Sequence, residues 1–219
     1  MSNVLVIAPH PDDETLGCGG ALFYHLNKGD ALHWIIITGI DEAQGYTREK
    51  VLARKNEIIK ISEFYGFSSV LEYGYPTCSL DVVSRSELVS RLSDDFGLLK
   101  PEILYVPHYG DVHSDHKIVY EAAIAAAKWF RQPSIKAVRV YETLSETGLI
   151  GGEVFSPNQY IDISQFLEKK IAAMHIYGSE MGEHPFPRSE TAMRSLAQYR
   201  GANSGFEYAE AFHLLYERI

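Results

Sequence analysis

Short apolar runs rich in β-branched residues alternate along this chain with longer amphipathic stretches, and few folds accommodate that order. The apolar runs are Val4–Ala8, Ala31–Thr38, Ser69–Tyr73, Ile103–Pro107, Ala137–Tyr141 and Gln159–Ile163. The stretches Glu14–Lys28, Thr47–Tyr65, Ser84–Leu98 and Asp115–Phe130 read as helices between them. Leu88, Leu92 and Phe96 repeat at helical spacing, and the alanine-rich middle of Asp115–Phe130 suits close packing on a sheet. Strands joined by helices of this length need crossover connections, so the sheet is expected to be mainly parallel and covered on both faces. The expected class is α/β, a single domain over residues 1–219, a length that buries a core without disulfides. The less regular stretch from Ser179 to Ile219 is expected to wrap the domain or line a pocket rim.

In open parallel sheets, ligand sites form at the carboxyl ends of the strands. Directly after the first run come His10, Pro11, Asp12, Asp13 and Glu14, an imidazole and three carboxyls within five residues. Adjacent carboxylates repel and each must be solvated or paired, so folding alone has no use for such crowding. A bound divalent cation turns it into an asset. After Ile103–Pro107 a second cluster follows, with His108, Asp111, His113, Asp115 and His116. His10, Asp13 and His116 would together supply two neutral nitrogens and a carboxylate oxygen, three ligands that leave a fourth position open for water. Such donors suit zinc first, with iron or manganese as alternatives. A third loop, from Thr38 to Thr47, follows the second strand and can converge on the same edge.

Net charge is −9 with no basic block, which argues against nucleic acid as a partner. The apolar runs are too short to span a membrane. Two distant cysteines, Cys18 and Cys78, form no CxxC pair, and no secretory signal is visible, so a reducing cytoplasm is the expected location. Gly17, Gly19 and Gly20 match neither a dinucleotide fingerprint nor a P-loop and are read as close packing of the first helix, with Cys18 as a small core residue. Glu14 is read as a structural acceptor near the helix start.

The run His10-Pro-Asp-Asp-Glu14 with Gly19-Gly20, followed by Asp111-x-His113-x-Asp115-His116, resembles the PIG-L (LmbE-like) family of zinc-dependent N-acetylglucosaminyl deacetylases. Thr38-Gly39, Arg54-x-x-Glu57 and Arg200-Gly201 to Tyr208-Ala-Glu-Ala-Phe212 extend the resemblance over nearly the whole chain. The resemblance implies a Rossmann-like three-layer fold and hydrolysis of the acetyl group from an N-acetylated amino sugar. Transferred position by position, it makes His10, Asp13 and His116 the metal ligands and Asp12 the general base. It makes His113 the group that stabilises the oxyanion or protonates the leaving amine, and Asp115 the residue that holds His113 and favours its charged form. Arg54, Thr77 and Asp111 become substrate-binding residues. One departure bears on the substrate: Thr77 stands where relatives acting on thiol-cofactor precursors tend to have an aspartate, and Asp81 lies four residues later.

Blander readings compete with these. Asp12 and Asp13 could cap the first helix, Arg54 and Glu57 could be an exposed ion pair, and His113 and His116 could be ordinary surface or core histidines. Rival functions are hydrolysis of another amide or ester, phosphoester hydrolysis, and binding of metal or sugar without turnover. A phosphoesterase usually wants a second set of metal ligands, which the chain lacks. The oligomeric state, a homo-oligomer included, is left open by the sequence.

Overall fold

The computed structural model describes residues 1–219. Strands β1 (Asn3–Ala8), β2 (Ala31–Gly39), β3 (Ser69–Pro76), β4 (Ile103–Pro107), β5 (Ala137–Tyr141), β6 (Gln159–Asp162) and β7 (Ala209–Glu217) form one sheet in the order β3-β2-β1-β4-β5-β7-β6. The first five pair in parallel, and β7 runs antiparallel to both of its neighbours. The sheet is thus mainly parallel, as the alternation of runs predicts.

Side chains alternate across β1. Val4, Val6 and Ala8 enter the core beneath α1 (Asp13–Asn27), α2 (Arg48–Tyr65), α5 (Leu167–Ile176) and α6 (Glu190–Ser204), and all three are fully buried. Leu5 and Ile7 enter the opposite core with Leu88, Leu92 and Phe96 of α3 (Arg85–Leu99) and Val119, Ala122 and Ala123 of α4 (Ser114–Ala126). Both faces of the sheet are therefore covered.

Several boundaries differ from the sequence reading. The helix expected to reach Phe130 ends at Ala126, leaving Trp129 and Phe130 exposed. The stretch from Ser179 to Ile219 is more regular than expected. It contains α6 and β7, and β7 enters the sheet between β5 and β6. Its charged residues hid the pattern, because two of them serve inside the fold.

One is Glu210, which repairs a break in α1. Cys18 has non-helical angles, φ −144° and ψ 20°, so the first turn is separated from the rest of the helix. The orphaned N–H groups of Gly20 and Ala21 donate to the Glu210 carboxylate at 2.9 and 2.7 Å. Lys170 donates to Glu210 at 2.6 Å and to the freed carbonyl of Leu16 at 2.8 Å. Gly17 lies at the break because a Cβ there would sit 2.1 Å from the Tyr141 ring. Lys170 and Glu210 are both buried, so Lys170→Met leaves a carboxylate without its cation. The expected cost is about 3–5 kcal/mol in urea unfolding.

Candidate metal centre

The strand order reverses between β1 and β4, and ligands bind at such a switch point in open α/β sheets. The loop after β1 carries His10 to Asp13 and the loop after β4 carries Asp111 to His116, so the topology brings the two clusters together. One donor atom each from His10, Asp13 and His116 lies within 4.8 Å of the others.

Hydrogen bonds orient this set. His116 is fully buried, and its Nδ1–H donates to Asp111 Oδ2 at 2.7 Å. Its Nε2 is then the free nitrogen, buried with no hydrogen-bond partner and 3.2 Å from Asp13 Oδ2. His10 mirrors it. Its Nε2 is 3.1 Å from Asp115 Oδ2, and its Nδ1 is 3.2 Å from the same Asp13 oxygen. Two imidazoles, each tied at its far nitrogen to an aspartate, thus converge on one carboxylate oxygen, an arrangement that fits metal ligation. Burial opposes a charge on His10, but hydrogen bonds with Asp115 and Asp13 outweigh it and push its pKa up to about 9. Burial likewise opposes a charge on His116, and the Asp13 charge with the Asp111 hydrogen bond raises it to about 10. A cation seated here would take the place of those protons.

The structure corrects two sequence-predicted roles. Asp111 is not on the cavity wall: it is fully buried, and its two oxygens accept from His116 and from the Thr147 hydroxyl, at 2.7 and 2.6 Å. It holds His116 from behind and, fully buried, does not reach the cavity. Asp115 holds His10, not His113. Its carboxylate also accepts the N–H groups of Cys78 and Leu80, and it lies 4.0 Å from His113 Nδ1. His113 caps α4 instead, its Nδ1 accepting the Asp115 backbone N–H at 3.1 Å. That bond leaves the ring's hydrogen on Nε2. Burial and the neighbouring His10 and His116 hold its pKa below the ordinary histidine value, so the neutral ring is favoured.

Asp12 stands at the N-cap position just before α1, but its side chain makes no capping hydrogen bond, so the helix-cap reading of this residue fails. Its backbone is strained, with φ 130°. The Asp12 N–H donates to Glu14 Oε2 at 3.1 Å, and Glu14 is held by Thr15 and Tyr177 hydroxyls at 2.6 and 3.0 Å. Glu14 is a buried structural acceptor, as the sequence predicts. Burial, together with the Asp13 and Glu180 carboxylates, lifts the Asp12 carboxyl well above the usual range.

His10, Asp12, Asp13, His113 and His116 open onto a cavity of about 400 Å³ whose wall also carries Lys50, Glu57 and Glu146, polar groups that can orient a polar ligand. Thr77 and Arg54 line it, as do Thr38 and Gly39 from the third predicted loop. Arg54 and Glu57 are not an exposed pair, their side chains being 16% and 14% exposed. Arg54 donates to the Pro11 carbonyl at 2.7 Å and pairs with Glu57 and Glu180. Glu180 also pairs with Arg188, which donates to Ser145 Oγ at 3.0 Å. Glu180, Arg188, Thr143, Ser145 and Glu146 line the cavity without having been singled out from the sequence. None lies in a recognisable spacing; the rim expected within the stretch from Ser179 onward was a signal for Glu180 and Arg188 alone, and Thr143, Ser145 and Glu146 had none.

Residues 5–127, more than half of the chain, match the family model described as GlcNAc-PI de-N-acetylase. The diacetylchitobiose deacetylase of Thermococcus kodakarensis is 24% identical over 225 residues, covering 98% of this chain and 84% of the relative. The conserved protein TT1542 of Thermus thermophilus superposes with a TM-score of 0.80 at 27% identity, covering 100% of this chain and 97% of its own. GalB of Pseudomonas putida, a 4-carboxy-2-hydroxymuconate hydratase, shares the fold at 21% identity, with a TM-score of 0.77 and coverage of 100% and 98%. A hydratase on this fold means that the fold alone does not name the reaction.

Proposed function

The chain belongs to the PIG-L, GlcNAc-PI de-N-acetylase, family, and from that premise we propose that it hydrolyses the acetyl group from an N-acetylated amino sugar, with zinc held by His10, Asp13 and His116. The observation that carries this reading is the pair of aspartate-tethered histidines aimed at one Asp13 oxygen, with the uncommitted Asp12 carboxyl on the same cavity. A divalent cation bound there would supply a Lewis acid and a water able to ionise near neutral pH.

The chain's own residues supply the rest. Asp12, lifted by its surroundings, accepts a proton from the attacking water and can return it to the departing nitrogen, so that amide and water become amine and acetate. His113, its hydrogen fixed on Nε2, donates to the carbonyl oxygen as that atom gains negative charge. Arg54 and Thr77 face the sugar. The two unpaired cysteines fit a reducing cytoplasm, and no helix is long and apolar enough to cross a membrane.

The test is acetate release from N-acetylglucosamine, N,N'-diacetylchitobiose and other N-acetylhexosamine conjugates, run beside simple acetyl esters and unrelated acetamides. Release confined to the amino sugars is expected. Release from esters or plain acetamides alone would replace this reading with a broader hydrolase, and release from none would favour binding without turnover.

A further inference from the structure

The segment after β5 presents two groups that the catalytic reading leaves unused. Thr143 lines the cavity and is 1% exposed, yet its Oγ1 has no hydrogen-bond partner. A buried hydroxyl is rarely kept unpaired, so a ligand that enters here and satisfies it is favoured. Three residues on, Glu146 lines the same wall. Its Oε1 accepts from Ser145 Oγ at 3.1 Å, while Oε2 receives no hydrogen bond from the protein.

This wall is held rigid from behind. Arg200 grips Glu142 with two hydrogen bonds of 2.7 and 2.6 Å at the start of the segment. The Thr143 N–H donates to Thr147 Oγ1 at 2.8 Å, and the Thr143 carbonyl accepts the N–H groups of Glu146 and Thr147 at 3.1 and 2.8 Å. Ser145 adopts a left-handed φ of 77° and is held there by Arg188. Strain of this kind persists only where neighbours enforce it, and groups preset in this way lose little entropy on binding.

We propose that Thr143 and Glu146 form a subsite for the ring hydroxyls of the substrate sugar. The proposal rests on the deacetylase reading of the same cavity. Glu146 can only accept, so it takes a sugar O–H. Thr143 can donate or accept and serves the neighbouring hydroxyl. A hydroxyl pair satisfies both residues at once.

The test is calorimetric binding and steady-state kinetics with N-acetylglucosamine and its 3-deoxy and 4-deoxy forms, on wild type, Thr143→Val, Thr143→Ser and Glu146→Gln. Thr143→Val is expected to weaken binding and raise KM by roughly 2- to 10-fold, and Glu146→Gln by roughly 10-fold or more, with kcat nearly unchanged. Thr143→Ser, which keeps the hydroxyl, should bind like wild type. Each loss should vanish for the deoxy sugar that lacks the partnered hydroxyl. Equal affinity in all variants, or losses of the same size on every deoxy sugar, would overturn the subsite. So would absence of N-acetylglucosamine binding. Hydroxyl-dependent binding without acetate release would sink the deacetylase reading and keep the subsite. Acetate release with KM unchanged in both variants would do the reverse.

Discussion

Asp12→Asn is expected to lower kcat by roughly 10²–10⁴-fold while the protein keeps its zinc. The amide has the carboxylate's size but cannot accept the water's proton. Nothing structural should collapse, because the Asp12 side chain makes no capping hydrogen bond and the strained backbone is held by Glu14 through the Asp12 N–H. The three converging donors lie on other residues. Their geometry should therefore survive, and zinc analysis beside turnover of an N-acetylhexosamine separates the two roles. Undiminished turnover would remove Asp12 as the base. Loss of zinc together with activity would make it a ligand.

His116→Ala should take the metal with it. The buried Nε2 is one of the three donors of the proposed site, and removing it leaves Asp13 and His10 with too few ligands for a stable site. Zinc after dialysis should fall from about one per chain to a small fraction, and acetate release should fall with it. His113→Ala should keep near-stoichiometric zinc and lose roughly 10²–10³-fold in kcat, the usual cost of one oxyanion donor. Asp111→Asn should fall between them, weakening zinc about 10–100-fold through the orientation of His116. Equal zinc loss in the His113 and His116 variants would overturn the division between ligand and donor.

Much of this site is legible in the chain because its spacing is local. His10 to Asp13 follow one strand and Asp111 to His116 another, and a parallel sheet must bring two such strand ends to one edge. The convergence of His10, Asp13 and His116 is read from topology and donor chemistry together. What each aspartate holds is not legible, because it depends on ring orientations within an ångström. Asp115 lies two residues from His113 yet reaches His10, 105 residues away in sequence, while its own N–H occupies His113 Nδ1. Asp111 turns inward to His116, away from the cavity.

The far wall is invisible to sequence for a different reason. Thr143, Glu146, Glu180 and Arg188 come from segments without periodicity, and their placement rests on long-range pairs. Glu210 is similar. A charged residue in a β-strand reads as solvent-facing until the break at Cys18 shows which N–H groups need an acceptor. The helix-like positions of α6 were obscured in the same way, since Arg200 turns inward to Glu142.

The most direct test of a metal-dependent sugar deacetylase is zinc titration of chelated protein while acetate release from the best N-acetylhexosamine is recorded. Activity is expected to be absent after chelation and to rise with added zinc until about one equivalent per chain is bound, then level off. Acetate release that persists in metal-free protein would contradict the account.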